Sequence, residues 1–389
     1  MLADIGDRVE RLRNSQALSS PVHDERVAAR IGTVLGIAFL VCFLTGVLSH
    51  LHQHPVSWLP LGPRPSWAYR VNQGVHVVTG LACVPLLLAK LFAVYPNLLA
   101  WPPVRGLVHG LERASVGVLV AAALFQVSTG VMNIYQWYPW GFGFPGVHWA
   151  MAWVAIGALL VHVAVQLPAV RRGLSRSSDE GREHTDKDAA ARTRRGFLLG
   201  TGLTVAAVTI ATAGQTVTPL RPLSVLAPRR TDVGPQGLPV NRSAAQANVI
   251  QSAVDPAWVL ELVGPGGTTL LNRAALLAMP QHSAVLTIAC VEGWSASAPW
   301  SGVRVADLVA LAGGSAAASV AVTSLQERGT YRSSELPAAY VQDPDTLLAL
   351  RLKGEDLHLE HGFPARIMAP NRPGVLQTKW VARMEVRDA

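Results

Sequence analysis

Five long runs almost without charge constrain this chain more than any other feature: 31–50, 73–95, 114–132, 147–168 and 196–218. Each approaches the roughly 20 residues a helix needs to cross about 30 Å of hydrocarbon. They are apolar on all sides rather than along one stripe, which favours spanning a bilayer over lying on it. Ser115, Gly117, Ser128 and Gly130 in the third run, with Gly200, Gly202 and Thr204 in the fifth, are small residues that let membrane helices pack closely. Buried helices of a soluble protein would need more charged connecting surface than 31–168 offers. Over all 389 residues, 50% are hydrophobic and only 15% charged, whereas soluble domains carry about a quarter charged. The same figures exclude a disordered chain.

The net charge of +8, with a sequence pI near 9.9, suggests an anionic partner only until the charges are located. Arg8, Arg11, Arg13, Arg26 and Arg30 precede the first run, and Arg105 and Arg113 follow the second, with Lys90 near its end. Arg171, Arg172, Arg176, Arg182, Lys187, Arg192, Arg194 and Arg195 follow the fourth. The stretch 133–146 carries no charge, and its Trp137, Tyr138 and Trp140 suit an outer aromatic belt. Positive connections stay cytoplasmic. The expectation is a multi-pass cell-membrane protein with a cytoplasmic N-terminus and everything after the fifth run on the opposite side. No basic stripe with interleaved aromatics points to nucleic acid.

The predicted organisation follows. A cytoplasmic tail occupies 1–30 and a four-helix membrane domain 31–170; a basic loop over 171–195 leads to a fifth helix over 196–218. A linker over 219–245, punctuated by Pro219, Pro222, Pro228, Pro235 and Pro239, should be extended. An exported domain fills 246–389. Thr193-Arg194-Arg195-Gly196-Phe197 ahead of a Gly/Ala/Thr-rich run looks like an internal twin-arginine export signal. Two arginines obeying the positive-inside rule would look the same locally.

Histidines carry the chemistry of the first half. His50, His52, His54, His76, His109, His148 and His162 fall in or beside the first four runs, where ionisable residues are costly. His148 and His162 lie fourteen residues apart, which returns nearly to the same helix face after about 21 Å. That offset suits two haems stacked across a bilayer, with neutral imidazoles as axial ligands. Gly74-Val75-His76 matches Gly146-Val147-His148, so His76 and His148 are expected at one depth as ligands of an outer haem. Lys90 stands where a second histidine would match His162; an inner haem would use His162 with Lys90 or His109, or be absent. Any one of these histidines could instead bond a neighbouring helix, and His50 could serve as a reserve ligand or at a quinone site. With its matched histidines, 30–170 resembles bacterial four-helix b-type cytochromes, which implies haem b and exchange of electrons with the quinone pool.

From 246 the pattern is α+β. Strands are expected over 257–262, 284–288, 320–324, 348–352, 365–368 and 380–386, with short helices over 272–278 and 305–311. No Gly-x-Gly-x-x-Gly or Walker pattern marks a nucleotide site. Of three cysteines, Cys42 and Cys83 sit in apolar runs, so no disulfide framework exists. Cys290 alone lies in the exported part, in Thr287-Ile288-Ala289-Cys290-Val291-Glu292-Gly293-Trp294-Ser295, at the end of an expected strand. A lone thiol there reads as a reactive group, a soft metal ligand or a small core residue.

That stretch, with Trp300-Ser301-Gly302-Val303, Val305-Ala306-Asp307-Leu308, Leu359-Glu360-His361-Gly362-Phe363-Pro364-Ala365-Arg366, Gly374 and Lys379-Trp380, resembles the sulfite oxidase-like molybdopterin-binding domain. The similarity is to the branch holding the periplasmic methionine sulfoxide reductase catalytic subunit, over about 235–389. The resemblance implies Cys290 as molybdenum ligand and catalytic residue, and pterin contacts at Asn241, His361, Arg366, Gly374 and Lys379. His361 stands where the family often has asparagine. Arg366 and Lys379 could meet the pterin phosphate, and Gly374 could let backbone approach it; Tyr331 and Arg332 fall near the substrate pocket. The whole then implies a membrane-bound molybdenum oxidoreductase that reduces a small-molecule or protein-bound S- or N-oxide. Oxidation of a sulfur compound and a non-catalytic binding module on a membrane anchor are the alternatives.

Overall fold

A computed structural model describes residues 20–56, 58–98, 104–175 and 184–388. Arg8, Arg11 and Arg13 of the predicted tail, and Arg176 and Arg182 of the basic loop, lie outside the described residues. The chain divides into two compact units. The first holds the residues up to Gly46, Val75–Ala213 and Leu223–Leu226; the second holds Val47–Gly74, Gly214–Pro222 and Ala227–Ala389.

The helical region consists of α1 (Glu25–Gln53), α2 (Ala68–Leu98), α3 (Leu107–Ile134), α4 (Phe144–Ser175) and α5 (His184–Ala213). All five are long and apolar enough to cross a membrane. Asp24 starts α1 by accepting the Arg26 amide proton at 2.8 Å, the N-cap bond that satisfies an orphan donor. Thr33, Thr45, Thr129, Thr201 and Thr212 return their hydroxyls to carbonyls four residues back, so few polar groups on these helices lack a partner. Ile37, Leu44, Leu160, Leu199 and Leu203 are exposed, while Val27, Ile31, Leu35, Cys83, Leu86 and Leu87 form a buried seam. Arg194 of the twin-arginine motif lies within α5 and pairs with Asp24 at 3.1 Å.

Three expectations differ from the structure. The fifth run, predicted to 218, stops being helical at Ala213, where Gly214 follows and the buried Gln215 gives its carbonyl to the Ser295 amide at 3.0 Å. The predicted extended linker over 219–245 is instead folded. It makes 3₁₀ turns at Thr218–Leu223 and Pro235–Gly237, and Leu238 is buried. Proline fixes φ near −65°, which suits such turns as well as extended chain. The segment 47–74, placed by sequence in the membrane domain, clusters with the second unit.

The second unit carries an α+β domain with two five-stranded sheets. One has the order β2 (Gly267–Asn272), β1 (Val259–Gly264), β10 (Val381–Arg387), β5 (Ser319–Ser324), β6 (Ser333–Leu336), with only β1 and β10 parallel. The other runs β3 (His282–Ala289), β4 (Ser295–Arg304), β7 (Leu347–Leu352), β8 (Glu355–Asp356), with β9 (Arg366–Met368) also pairing β7. β7 is buried on both faces, as its continuous apolar run requires. Leu348 and Leu350 join the core with Leu260, Leu262, Val320 and Met384; Leu347 and Ala349 join the core with Trp300, Ile288 and Cys290. The expected helix over 305–311 matches Val305–Leu311. The strands β2, β4 and β6 and the two-residue β8 have no counterpart among the expected strands. In β4, inward positions are small except for Trp300, and Gly302 permits a bulge against β7 where a Cβ would overlap the Leu348 carbonyl oxygen.

Candidate functional site

Cys290 follows β3 and closes a tight turn. Its amide donates to the Trp294 carbonyl at 2.9 Å, and the Gly293 amide returns to the Cys290 carbonyl at 3.0 Å. Gly293 has φ 96°, a left-handed value that glycine adopts freely. The thiol is 1% exposed. Burial pushes its pKa well up, with the Glu292 carboxylate adding to the rise. Asn241 Nδ2 lies 3.8 Å from the sulfur, so the sequence-predicted pair is brought together. The former linker therefore supplies a wall of the site.

The other predicted residues gather around the same turn. Arg366 begins β9, 4% exposed, with its guanidinium 5.4 Å from the Trp300 ring centroid. Nη1 reaches the His361 carbonyl only at 3.4 Å, and Nε is buried with no partner among the described residues. Burial lowers its pKa to about 9. Lys379 gives its ammonium to the Arg242 carbonyl at 2.5 Å and the Glu360 carbonyl at 3.0 Å, over the Trp380 ring at 4.3 Å. Burial lowers it to about 7, and the neighbouring Arg366 adds to the fall. His361 Nε2 donates to the Pro235 carbonyl at 2.7 Å, and burial holds its pKa down at about 4. A carbonyl can only accept, so Nε2 carries the proton and any ligand contact falls to Nδ1. Gly374 has a nearer use than a ligand, because a Cβ there would stand 3.0 Å from the Ala289 carbonyl oxygen, beside Cys290. Tyr331 gives its hydroxyl to Gln53 at 3.5 Å; Arg332 is exposed and bonds the Glu327 carbonyl at 3.2 Å.

Sequence reasoning missed the residues that brace this turn. Gln377, 1% exposed, donates to the carbonyls of Thr287 and Ala369 at 3.1 and 3.2 Å. Arg372, 3% exposed, bonds the Leu376 and Glu335 carbonyls at 2.9 and 2.6 Å. The turn-forming run Asn371-Arg372-Pro373-Gly374 was the available signal.

In the first unit, His76 and His148 face each other with ring centroids 6.5 Å apart. Each Nδ1 is engaged from a neighbouring helix: His76 with the Cys42 carbonyl at 3.0 Å and Thr45 at 3.2 Å, His148 with Thr129 at 3.4 Å. Glycine follows each threonine and makes room for the ring; a Cβ on Gly46 would lie 3.2 Å from His76 Cε1, and one on Gly130 3.7 Å from His148 Cε1. Thr45-Gly46-Val47 repeats as Thr129-Gly130-Val131, a signal the sequence reading passed over. Lys90 and Glu112 both lie within electrostatic reach of His162. Lys90 donates to the Ala28 carbonyl at 2.8 Å, and His109 Nδ1 accepts the Arg105 amide at 3.2 Å. Among the described residues no ring contact joins His162 to another histidine.

Residues 247–389 match the profile of the family described as oxidoreductase molybdopterin binding domain. This part of the chain is similar to molybdopterin-binding oxidoreductase domains. Curated relatives include the mitochondrial sulfite oxidase of Mus musculus, 30% identical over 162 residues, covering 34% of this chain and 30% of that protein. A protein of Azospira oryzae named as a protein-methionine-sulfoxide reductase subunit, YedZ1, is 31% identical over 29% of this chain and 42% of its own. The uncharacterized oxidoreductase YuiH of Bacillus subtilis is 32% identical over 32% of this chain and 62% of its own. The chain thus spans about a third of the length of the sulfite oxidases it matches.

The molybdopterin domain suits its cofactor by charge. Arg242, Arg366 and Lys379 share one neighbourhood, and the buried guanidinium has a donor left over. A phosphate-bearing pterin is the kind of anion such a cluster accommodates. The buried thiol has the opposite need, a cation beside it to stabilise its thiolate.

Proposed function

We propose that the chain is a membrane-bound molybdenum oxidoreductase in which an exported molybdopterin site reduces an S- or N-oxide with electrons relayed by haem b from the quinone pool. The observation that carries this reading is Cys290, buried within electrostatic reach of the buried cations Arg366 and Lys379. When bound, the molybdenum pterin supplies two-electron oxygen-atom transfer, and haem b supplies single electrons. Cys290 would hold the metal. Arg366 and Lys379, with Arg242 beside them, would hold the pterin phosphate, with Asn241 and the Nδ1 edge of His361 against the pterin. Gly374 keeps the Ala289–Cys290 backbone in place.

His76 and His148 are the outer haem ligands in this reading. With ring centroids 6.5 Å apart, the two imidazoles would hold the haem iron, which would supply one-electron transfer. Both Nδ1 atoms are already engaged, which leaves both Nε2 atoms to ligate and fixes the tautomers. An inner haem would take His162, with Lys90 or His109 as its second ligand. The five apolar helices and the positive connections support a multi-pass cell-membrane protein with a cytoplasmic N-terminus, and Thr193–Phe197 acts as the export signal. The proposed organisation is a tail over 1–30, a membrane domain over 31–170, a basic stretch over 171–195, a fifth helix from 196 that ends at Ala213, a linker to 245 and an exported domain over 246–389 that also recruits 47–74 and 235–241.

Oxidation of a sulfur compound is the second reading, favoured by the sulfite oxidases among the relatives. One experiment separates the directions. Purified full-length protein is analysed for molybdenum and haem b, reduced with dithionite, and mixed with methionine sulfoxide or with sulfite. Reoxidation of the haem band by the sulfoxide supports the proposal; reduction of oxidised haem by sulfite supports the second reading. Protein without molybdenum overturns both.

A further inference from the structure

The segment between α1 and α2 leads into the first turns of α2, whose residues reach the Cys290 turn. Tyr69 and Gln73 are 1% and 6% exposed and lie one helical turn apart at the start of α2, hence on one face. Gln73 Nε2 donates to the carbonyl of Val291, the residue after Cys290, at 3.1 Å. The Tyr69 amide donates to Asn371 Oδ1 at 2.6 Å. Asn371 sits in the left-handed region with φ 53°, and two residues later Pro373 bridges Ala289, the residue before Cys290. One helix face is thereby tied to both flanks of the thiol. The segment is also clamped at its middle, where Arg64 bonds Asp343 at 2.8 and 3.0 Å and Asp345 at 2.6 Å.

Hydrogen-bond direction along this face follows from the chemistry. Gln73 presents its amide NH₂ to Val291, so its Oε1 must accept, and Ser49 donates to it at 2.9 Å. With its proton committed, Ser49 Oγ can only accept further: from Gln53 Nε2 at 3.2 Å and from the Tyr69 hydroxyl at a long 3.5 Å. O–H···O bonds are normally 2.7–2.8 Å. The Tyr69 phenol is therefore held through its backbone amide and through its hydroxyl, which meets Ser49 at a long distance and also Gln53, within electrostatic reach of Cys290 and Tyr331.

We infer that Tyr69, in the first turn of α2, is the substrate-orienting group of the Cys290 site, donating its phenolic proton as a hydrogen bond to the oxide oxygen. This inference rests on the oxide-reductase reading above. An S- or N-oxide oxygen is a strong acceptor, and a positioned neutral donor orients it without adding charge. Tyr69 is a positioning and specificity residue, and no proton leaves it.

The test uses full-length Tyr69→Phe protein, with free methionine sulfoxide as substrate and a reduced viologen as electron donor. The ring and both backbone ties survive this change. The expected result is wild-type molybdenum content, a KM raised about ten-fold and kcat within about two-fold, the pattern of a lost binding contact. Unchanged KM and kcat would overturn the inference. Loss of molybdenum from the variant overturns it too, because the phenol would then serve the fold. If wild-type protein contains molybdenum but reduces no sulfoxide, the oxide-reductase reading fails instead.

Discussion

Capture of the cofactor should depend on pH through a single lysine. Burial lowers Lys379 to about 7 and Arg366 to about 9, and holds His361 at about 4. Between pH 6 and 8, His361 therefore stays neutral and Arg366 stays charged, while Lys379 goes from about nine-tenths to about one-tenth protonated. A bound pterin phosphate would keep Lys379 protonated, so binding takes up a proton across this window. The affinity is highest below pH 7 and falls by about ten-fold, or about 1.4 kcal/mol, from pH 6 to 8. The second ionisation of the phosphate, near pH 6, pushes the other way. It acts equally on wild type and on Lys379→Met, which keeps the apolar stem over Trp380, so the difference between the two isolates the lysine. The assay is titration of full-length apoprotein with molybdopterin, followed by pterin fluorescence at several pH values. Wild type should lose its advantage over Lys379→Met as pH rises through 7. Parallel profiles would refute the reasoning. Stability of the apoprotein gives a check of sign: from 7 to the unfolded value of 10.5 the unfolded chain holds the extra proton, so stability should rise with pH in wild type.

Three further outcomes are expected. Cys290→Ser should bind little molybdenum and lower turnover by about a thousand-fold or more, as loss of a direct metal ligand does; metal analysis and steady-state rates check it. His148→Ala should abolish the haem b absorbance assigned to the outer site while the molybdenum content stays at the wild-type level, measured by pyridine haemochrome and metal analysis of one preparation. Gly302→Ala should destabilise the α+β domain by about 2–4 kcal/mol, because the new Cβ overlaps the Leu348 carbonyl oxygen inside the sheet; a urea midpoint unchanged from wild type would contradict it.

How much was readable beforehand depended on whether a residue declares its own cost. Arginine, histidine and cysteine are conspicuous when their surroundings are apolar, so His76, His148, Cys290 and Arg366 stood out by type and spacing. The strands at 320–324 and 348–352 were visible because their apolar patterns are those of one-sided and two-sided burial. β4 was not, since alanine and serine at 295–298 satisfy the sheet without a strong period, and its bulge at Gly302 depends on a neighbour in β7. Thr45, Gly46, Thr129 and Gly130 are ordinary on an apolar helix, and they acquire meaning only opposite an imidazole on another helix. Tyr69 and Gln73 were the least legible, because their partners, Asn371 and Val291, lie some 300 and 220 residues away in sequence. The residues proposed to perform the chemistry could thus be chosen from their own character. The residues that aim them could not, because aiming is a relation between elements that only the fold brings together.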